Sequence, residues 1–265
     1  MKFDGATSFR GSLRIQQRVI WALLMREIIT RYGRHNIGFM WMFVEPMLFT
    51  LGIAALWSFS GLHGDAQMPI VAFAVTGYSS VLLWRNMPGR CAKAVEPNLA
   101  LMYHRNVRVI DIFVSRIILE AAGATISFVI LSTVFVAVGW MSVPEDILKV
   151  LTGWFMLAWF GAALAMTVGA MSEISEVVEK VWHPVTYLTF PLSGAMFMVG
   201  WLPEEARRLV LYLPMVHGVE ILREGYFGSS VQAHYDIPYM AMICLFLTLL
   251  GLSLSREVGR RVTPE

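Results

Sequence analysis

Six long apolar segments limit what this sequence can form. A membrane-spanning helix needs about 20 mostly apolar residues, at a rise of about 1.5 Å per residue, and each segment approaches or meets that length. They cover residues 37–60, 69–87, 109–141, 148–172, 181–202 and 236–255. Only 15% of the residues are charged, against about 25% in soluble domains. We therefore predict an all-α integral membrane protein with six transmembrane helices.

The distribution of Lys and Arg predicts the orientation of these helices. Cytoplasmic loops are enriched in both residue types. Seven of the first 36 residues are Lys or Arg, the loop at 90–108 is basic, and the C-terminal tail carries Arg256, Arg260 and Arg261. Segment 61–68 has none. Both termini are therefore expected in the cytoplasm, and no signal peptide pattern is visible.

Residues 12–32 are predicted to form an amphipathic helix in the membrane interface. Apolar residues cover one broad side of Leu13–Leu24, and polar residues cluster on the other, as such helices require. From residue 26 the pattern fails, because Arg26, Glu27 and Arg31 fall within the apolar arc. These charges need water, lipid phosphates or a protein partner.

Residues 203–230, on the outer side, contain two short amphipathic pieces divided at Pro214. Pro203, followed by two glutamates, indicates a helix start. The pieces lie on the surface or dip inward as a re-entrant hairpin, which requires protein or a wet cavity around the backbone.

Three groups of charges near or within the spans have open interpretations. Glu45, directly before Pro46, is either a hinge or channel position or a carboxylate paired with an arginine. Arg116 and Glu120, four residues apart, favour a simple ion pair. The glutamates of segment 172–180 are predicted to form a solvated helix end, with a docking surface as the alternative.

Catalytic and metal-binding patterns are not found in the sequence. Segment 31–39, RYGRHNIGF, has two glycines at phosphate-loop spacing but lacks the Lys and hydroxyl residue that must follow. We interpret Gly33 and Gly38 instead as an elbow between interfacial and spanning helices. The six histidines form no metal spacing, and Cys91 and Cys244 are expected to be unpaired structural thiols. We therefore predict no catalytic and no metal-ligating residues.

The elbow and its surroundings also carry a family resemblance. The string RY-x-R-x-x-[IL]-G-x-x-W-x-x-x-x-P, here Arg31 to Pro46, resembles ABC-2 type permeases of capsular polysaccharide export. The resemblance covers essentially the whole chain. It implies a homodimer bound to two copies of a separate ABC ATPase, which would hold the ATP and magnesium, so that this chain binds no cofactor of its own.

The resemblance also implies roles for residues of this sequence. The expected substrate entrance at headgroup depth comprises Arg31, Tyr32, Arg34 and His35. The expected channel or hinge positions are Gly38, Trp41, Glu45 and Pro46. The expected ATPase-coupling loop, 90–108, carries Arg90, Lys93, Glu96, Arg105 and Arg108. The expected periplasmic gate helices, 203–230, carry Pro203, Pro214, Glu220 and Arg223.

The function implied is export of acidic, lipid-linked capsular polysaccharide across the bacterial inner membrane. Periplasmic and outer-membrane export proteins and membrane lipids are the further partners expected, and nucleic acid is not. Two alternatives stay open: the same fold with another cargo (O-antigen, teichoic acid or a small lipophilic molecule), and a membrane-bound glycan-modifying enzyme.

Overall fold

The structure, a computed structural model, describes residues 9–32, 69–104 and 107–262, together with residues 40, 44, 47, 48, 50–53, 55 and 56. This part of the chain is helical, without strands. The helices are α1 (Phe9–Tyr32), α2 (Ile70–Cys91), α3 (Leu99–His104), α4 (Val109–Ala137), α5 (Ile147–Ile174), α6 (Glu176–Leu192), α7 (Glu204–Val210), α8 (Pro214–Phe227) and α9 (Ile237–Val262). Short 3₁₀ turns cover Glu96–Asn98, Val199–Trp201 and Gly228–Ser230.

Three of the described helices, α4, α5 and α9, are long and apolar enough to cross a membrane. They correspond to the third, fourth and sixth predicted spans. Helix α2 matches the second but continues past the predicted end at residue 87, through Pro88, to Cys91. Most of the first predicted span lies outside the described residues.

Helix α5 is the centre of the bundle, packing against α2, α8 and α9. Close approach depends on glycines in α5. A Cβ added at Gly153 would lie 2.6 Å from the backbone N of Leu222 in α8, and one at Gly161 would lie 2.7 Å from the Cα of Trp84 in α2. Small residues at such contacts let membrane helices approach backbone to backbone.

The fifth predicted span, 181–202, is not one helix. Helix α6 tolerates Pro184 and Pro191 but ends at Leu192, and the chain then turns through Gly194, whose φ is +81°. The turn is stable because a side chain distant in sequence, Arg223, hydrogen-bonds its carbonyl groups in place of the next helical turn.

The outer segment divides as its prolines predict. Pro203 is the N-cap of α7, and Pro214 is the first residue of α8. Helix α8 is almost entirely buried, and a Cβ added at Gly218 would lie 2.5 Å from Cγ of Leu157 in α5. The second piece of the outer pair is therefore part of the core of the fold.

Candidate functional site

Five charged side chains meet between α1, α2 and α4, and we call them the α1–α4 ionic cluster. Arg31 contacts Glu120 and lies 2.9 Å (Nε) from Oε1 of Glu27. Nε of Arg90 lies 3.4 Å from Oε1 of Glu120, and Nε of Arg116 lies 3.5 Å from Oε1 of Glu27. The predicted Arg116–Glu120 pair is therefore wrong, because each residue pairs with a different helix. The cluster attaches α1 to the bundle.

The cluster changes what can be expected of Arg31. Its side chain is only 13% exposed and is bound by two carboxylates. Of the three partners considered for the charges of α1 (water, lipid phosphate or protein), Arg31 therefore has protein, in the form of two glutamates of its own chain. Tyr32 is the last residue of α1. The other predicted entrance and hinge residues lie outside the described part of the chain: Arg34, His35, Gly38, Trp41, Glu45 and Pro46.

The loop between α2 and α4 is held by the end of α5. The backbone N–H of Lys93 donates to Oγ of Ser172 (3.0 Å), and that of Val95 donates to Oε1 of Glu173 (2.9 Å). The first glutamate of the acidic segment therefore binds its own chain and is not simply solvated. Lys93 has a positive φ of 50°, uncommon for a residue with a side chain.

One face of this loop is open. Glu96, Ala100 and Tyr103 follow each other at helical spacing, and all three are exposed, with Tyr103 at 69%. The opposite face, which includes Val95 and Met102, is buried. Of the other predicted coupling residues, Arg90 joins the α1–α4 ionic cluster, Arg108 is exposed at the start of α4, and Arg105 lies outside the described residues.

On the outer side, Arg223 of α8 is completely buried. It donates to the carbonyl oxygens of Gly194 (2.6 Å), Phe197 (2.7 Å) and Ala195. Its guanidinium also lies 3.7 Å from the ring centroid of Phe73 in α2. Guanidinium has five donors in a planar fork, which lets one side chain satisfy a whole turn and connect it to α2.

Glu220, also completely buried, complements Arg223 as an acceptor. It accepts from the backbone N–H groups of Val199 (3.1 Å) and His234 (2.9 Å). His217, one turn earlier, accepts from the N–H of Asp236 (2.8 Å) through Nδ1. Glu220 and Arg223, two of the four residues predicted for the gate, are therefore part of one buried framework that joins α8 to the segments before α7 and before α9.

A tyrosine–carboxylate pair lies at the outer edge of α8. The hydroxyl of Tyr235 donates to Oε2 of Glu224 (2.6 Å), whose other oxygen lies 3.2 Å from Nζ of Lys149. The hydrogen bond to Glu224, with a smaller effect of burial, raises the pKa of Tyr235 to about 12.

One arrangement escaped prediction from the sequence. Arg85 of α2 lies over two rings of α6, at 5.1 Å from the centroid of Tyr187 and 5.8 Å from that of Phe190. Tyr187 is largely exposed. The sequence shows only that Arg85 ends an apolar segment. Its aromatic partners are identified by the packing of α2 on α6.

The usual metal ligands, His, Cys, Asp and Glu, do not cluster in the described part of the chain. No group of three or more His, Cys, Asp or Glu residues there is placed to hold a metal ion. Cys91 and Cys244 are buried free thiols, as predicted.

The structure is an apolar helix bundle packed at glycines, with a hydrogen-bonded basic loop at one end and the buried helix α8 at the other, and it was compared with known proteins. The profile of the ABC-2 type transporter family matches residues 18–227. The chain belongs to this family.

Full-length relatives of this ABC-2 transporter chain give a narrower comparison. It is 42% identical to the capsule polysaccharide export inner-membrane protein BexB of Haemophilus influenzae, over 100% of both chains. It is 45% identical to the corresponding protein CtrC of Neisseria meningitidis serogroup A, again over 100% of both. A polysialic acid transport protein of Escherichia coli, KpsM, is 25% identical over 93% of this chain and 96% of its own length.

Proposed function

We propose that this chain is the inner-membrane permease subunit of an ATP-driven exporter of capsular polysaccharide. The observation that carries the proposal is the match, at 42–45% identity and full length, to proteins named for capsule polysaccharide export in the inner membrane. The likeness to a polysialic acid transport protein supports an acidic polysaccharide as cargo. No observation favours O-antigen, teichoic acid, a small lipophilic molecule or an enzymatic function.

The proposed topology has six spans and both termini in the cytoplasm. It rests on the three apolar helices α4, α5 and α9, on α2 and α6, and on the predicted span at 37–60. Helix α8 supports a re-entrant outer hairpin: its 14 residues cover about 21 Å, too short for a hydrocarbon core of about 30 Å. Its burial against α5 provides the protein environment that a re-entrant segment requires.

The proposed energy source is a separate ABC ATPase, present in two copies on a homodimer of this chain and holding the ATP and magnesium. ATP acts on such a permease only by favouring one conformation over another. The open face of the α2–α4 loop, Glu96, Ala100 and Tyr103, is the surface we assign to ATPase contact. The loop is hydrogen-bonded to α5 at Ser172 and Glu173, so a displacement of the loop would act on the central helix.

The proposed cargo path begins at Arg31, Tyr32, Arg34 and His35 and continues past Gly38, Trp41, Glu45 and Pro46. Because Arg31 is bound by carboxylates, we assign it to holding the entrance together and leave direct contact with the glycan to its neighbours. Arg85 with Tyr187 supports a second contact surface, since an exposed ring beside a cation suits an acidic sugar. Periplasmic and outer-membrane export proteins would receive the glycan.

The test is co-purification and export by the full chain in a capsulated host. The wild-type chain should co-purify with a stoichiometric ATPase. A strain in which the gene for this chain is deleted should retain the polysaccharide inside the cell. Tyr103→Ala should lose the ATPase and surface capsule, whereas Tyr212→Ala, an equally exposed tyrosine on the outer segment, should keep both. Normal surface capsule in the deletion strain would contradict the proposed function; retained ATPase with Tyr103→Ala would contradict only the assigned surface.

A further inference from the structure

A cleft of about 570 Å³ lies between the start of α4 and the end of α9. The two helices are in contact there, since a Cβ added at Gly259 would lie 3.9 Å from Cγ2 of Val109, an ordinary van der Waals distance. The cleft has an arginine-rich rim and an apolar wall. Its lining includes Met102, Arg108, Leu252, Arg256 and Arg260.

The three arginines of the cleft are exposed. Among the described residues, no carboxylate lies within ion-pair distance of the guanidinium group of Arg108, Arg256 or Arg260; Asp111 accepts only from the backbone N–H of Arg108 (2.9 Å). Arg261, the next residue, differs: its Nε lies 3.1 Å from Oε1 of Glu257. Three unpaired guanidinium groups around one cleft make it a site for an anion, and bidentate donors of this kind suit phosphate.

The cleft lies at the level where the hydrocarbon core should end. Helix α9 begins at Ile237, and the 19 residues from there to Arg256 cover about 28 Å, close to the hydrocarbon thickness of about 30 Å. Arg256 is the first charged residue of α9. The arginines are therefore expected at headgroup depth, on the side that the Lys and Arg distribution assigns to the cytoplasm.

The apolar wall of the cleft continues along α9 as an exposed stripe. Leu245, Leu249 and Leu252 are exposed and, with Arg256, follow each other at intervals of three and four residues, so they share one face of the helix. This face suits a lipid, since an acyl chain can lie along the leucines and an anionic headgroup can bind the arginines. A docked soluble protein would leave the leucines uncovered.

We propose that this cleft binds the headgroup phosphate of an anionic membrane phospholipid from the cytoplasmic leaflet, with an acyl chain along the leucine stripe of α9. Basic pockets between membrane helices on this side are suited to anionic headgroups. The cleft meets the α2–α4 loop at Met102, which is buried, and its lining does not include the exposed Glu96, Ala100 or Tyr103. The proposal moves Arg108 from the expected ATPase contacts to lipid binding. A bound lipid would bridge α4 and α9 and stabilise their contact.

The experiment measures phosphatidylglycerol binding to the purified full chain by native mass spectrometry, against phosphatidylcholine as the neutral competitor. The variant Arg256→Gln/Arg260→Gln should bind phosphatidylglycerol about 25-fold more weakly, since each arginine at a membrane surface contributes about fivefold. Arg261→Gln is the matched control, because it removes the same charge one residue away from a guanidinium that is already paired. It should change binding less than twofold.

The double lysine variant, Arg256→Lys/Arg260→Lys, should bind phosphatidylglycerol more tightly than the glutamine variant but more weakly than the wild type, because lysine keeps the charge and lacks the bidentate donors. Thermal unfolding in phosphatidylcholine should be the same for all variants, which separates lost binding from lost folding. An equal loss in Arg261→Gln would show non-specific attraction and overturn the proposal. Unchanged phosphatidylglycerol binding with loss of a co-purifying ATPase would also overturn it and assign the cleft to a protein. Neither outcome depends on the identity of the exported cargo.

Discussion

Replacement of Arg223 by methionine is the sharpest test of how the outer hairpin is held. Methionine occupies similar space but has no donor. The change leaves the carbonyl groups of Gly194, Ala195 and Phe197 buried without their partner. Each such group costs about 1–3 kcal/mol, and relaxation of the turn recovers part of the sum. We expect the free energy of unfolding to fall by about 3–5 kcal/mol, the range for removal of one partner from a buried charged network.

The assay is denaturant unfolding of the purified chain in detergent, combined with surface capsule in a complemented deletion strain. Arg223→Lys should be intermediate, because lysine keeps the charge but has one compact ammonium in place of the planar fork of guanidinium donors. Gly77→Ala tests the contact between Arg223 and Ala195 from the neighbouring helix. The Cβ of the alanine would lie 2.3 Å from the Ala195 oxygen and 2.6 Å from Nη2 of Arg223. The substitution should destabilise the chain by displacing the guanidinium of Arg223 from the turn, with the arginine itself unsubstituted.

Arg208→Met is the matched control for this series. It removes an arginine from the same outer segment, but one that is exposed and pairs with Glu204, one turn away on the same helix. Pairs of this kind contribute little to stability, so its unfolding should match that of the wild type. The reasoning is refuted if Arg223→Met unfolds at the same denaturant concentration as Arg208→Met.

Three further predictions follow from other contacts. Gly153→Ala should destabilise the chain by about 1–3 kcal/mol, measured by the same unfolding assay, because its Cβ would meet the backbone of α8; Gly11→Ala, in open space, should not. Arg31→Glu should lower thermal stability and export, and Arg31→Glu/Glu120→Arg should recover part of both; no recovery would argue against the α1–α4 contact. The hydrogen bond that raises the pKa of Tyr235 from 10 to about 12 should stabilise fully below pH 10 and be lost as pH rises towards 12, so the difference in unfolding midpoint from Tyr235→Phe should shrink over that range.

Much of the helical layout could be predicted because it depends on local properties of the chain. The apolar segments predicted at 109–141, 148–172 and 236–255 correspond to α4, α5 and α9, since only a helix satisfies the backbone of a long apolar segment in lipid. Pro203 and Pro214 mark the starts of α7 and α8 because proline lacks the N–H that the first helical turn leaves unused. The family resemblance also rested on a local string, Arg31 to Pro46.

The partners of the charged side chains could not be predicted in the same way. The spacing of Arg116 and Glu120 predicted an ion pair along one helix. Glu120 instead pairs with Arg31 and Arg90, which belong to two other helices. The fifth predicted span was drawn to residue 202 because its composition stays apolar. It ends at Leu192 because Arg223, on a different helix, satisfies the carbonyl groups of the turn.

The sequence alone determined that this chain is an α-helical membrane protein, where its main spans lie, and which family it resembles. These properties follow from the lengths of apolar segments and the spacing of residues along the chain. The tertiary structure alone decided which charges pair, where α6 ends, and which arginine side chains have no carboxylate partner among the described residues. Ion pairing and hydrogen-bond satisfaction depend on distances between side chains of different helices. Arg108 and Arg256 become neighbours around one cleft only when α4 packs against α9.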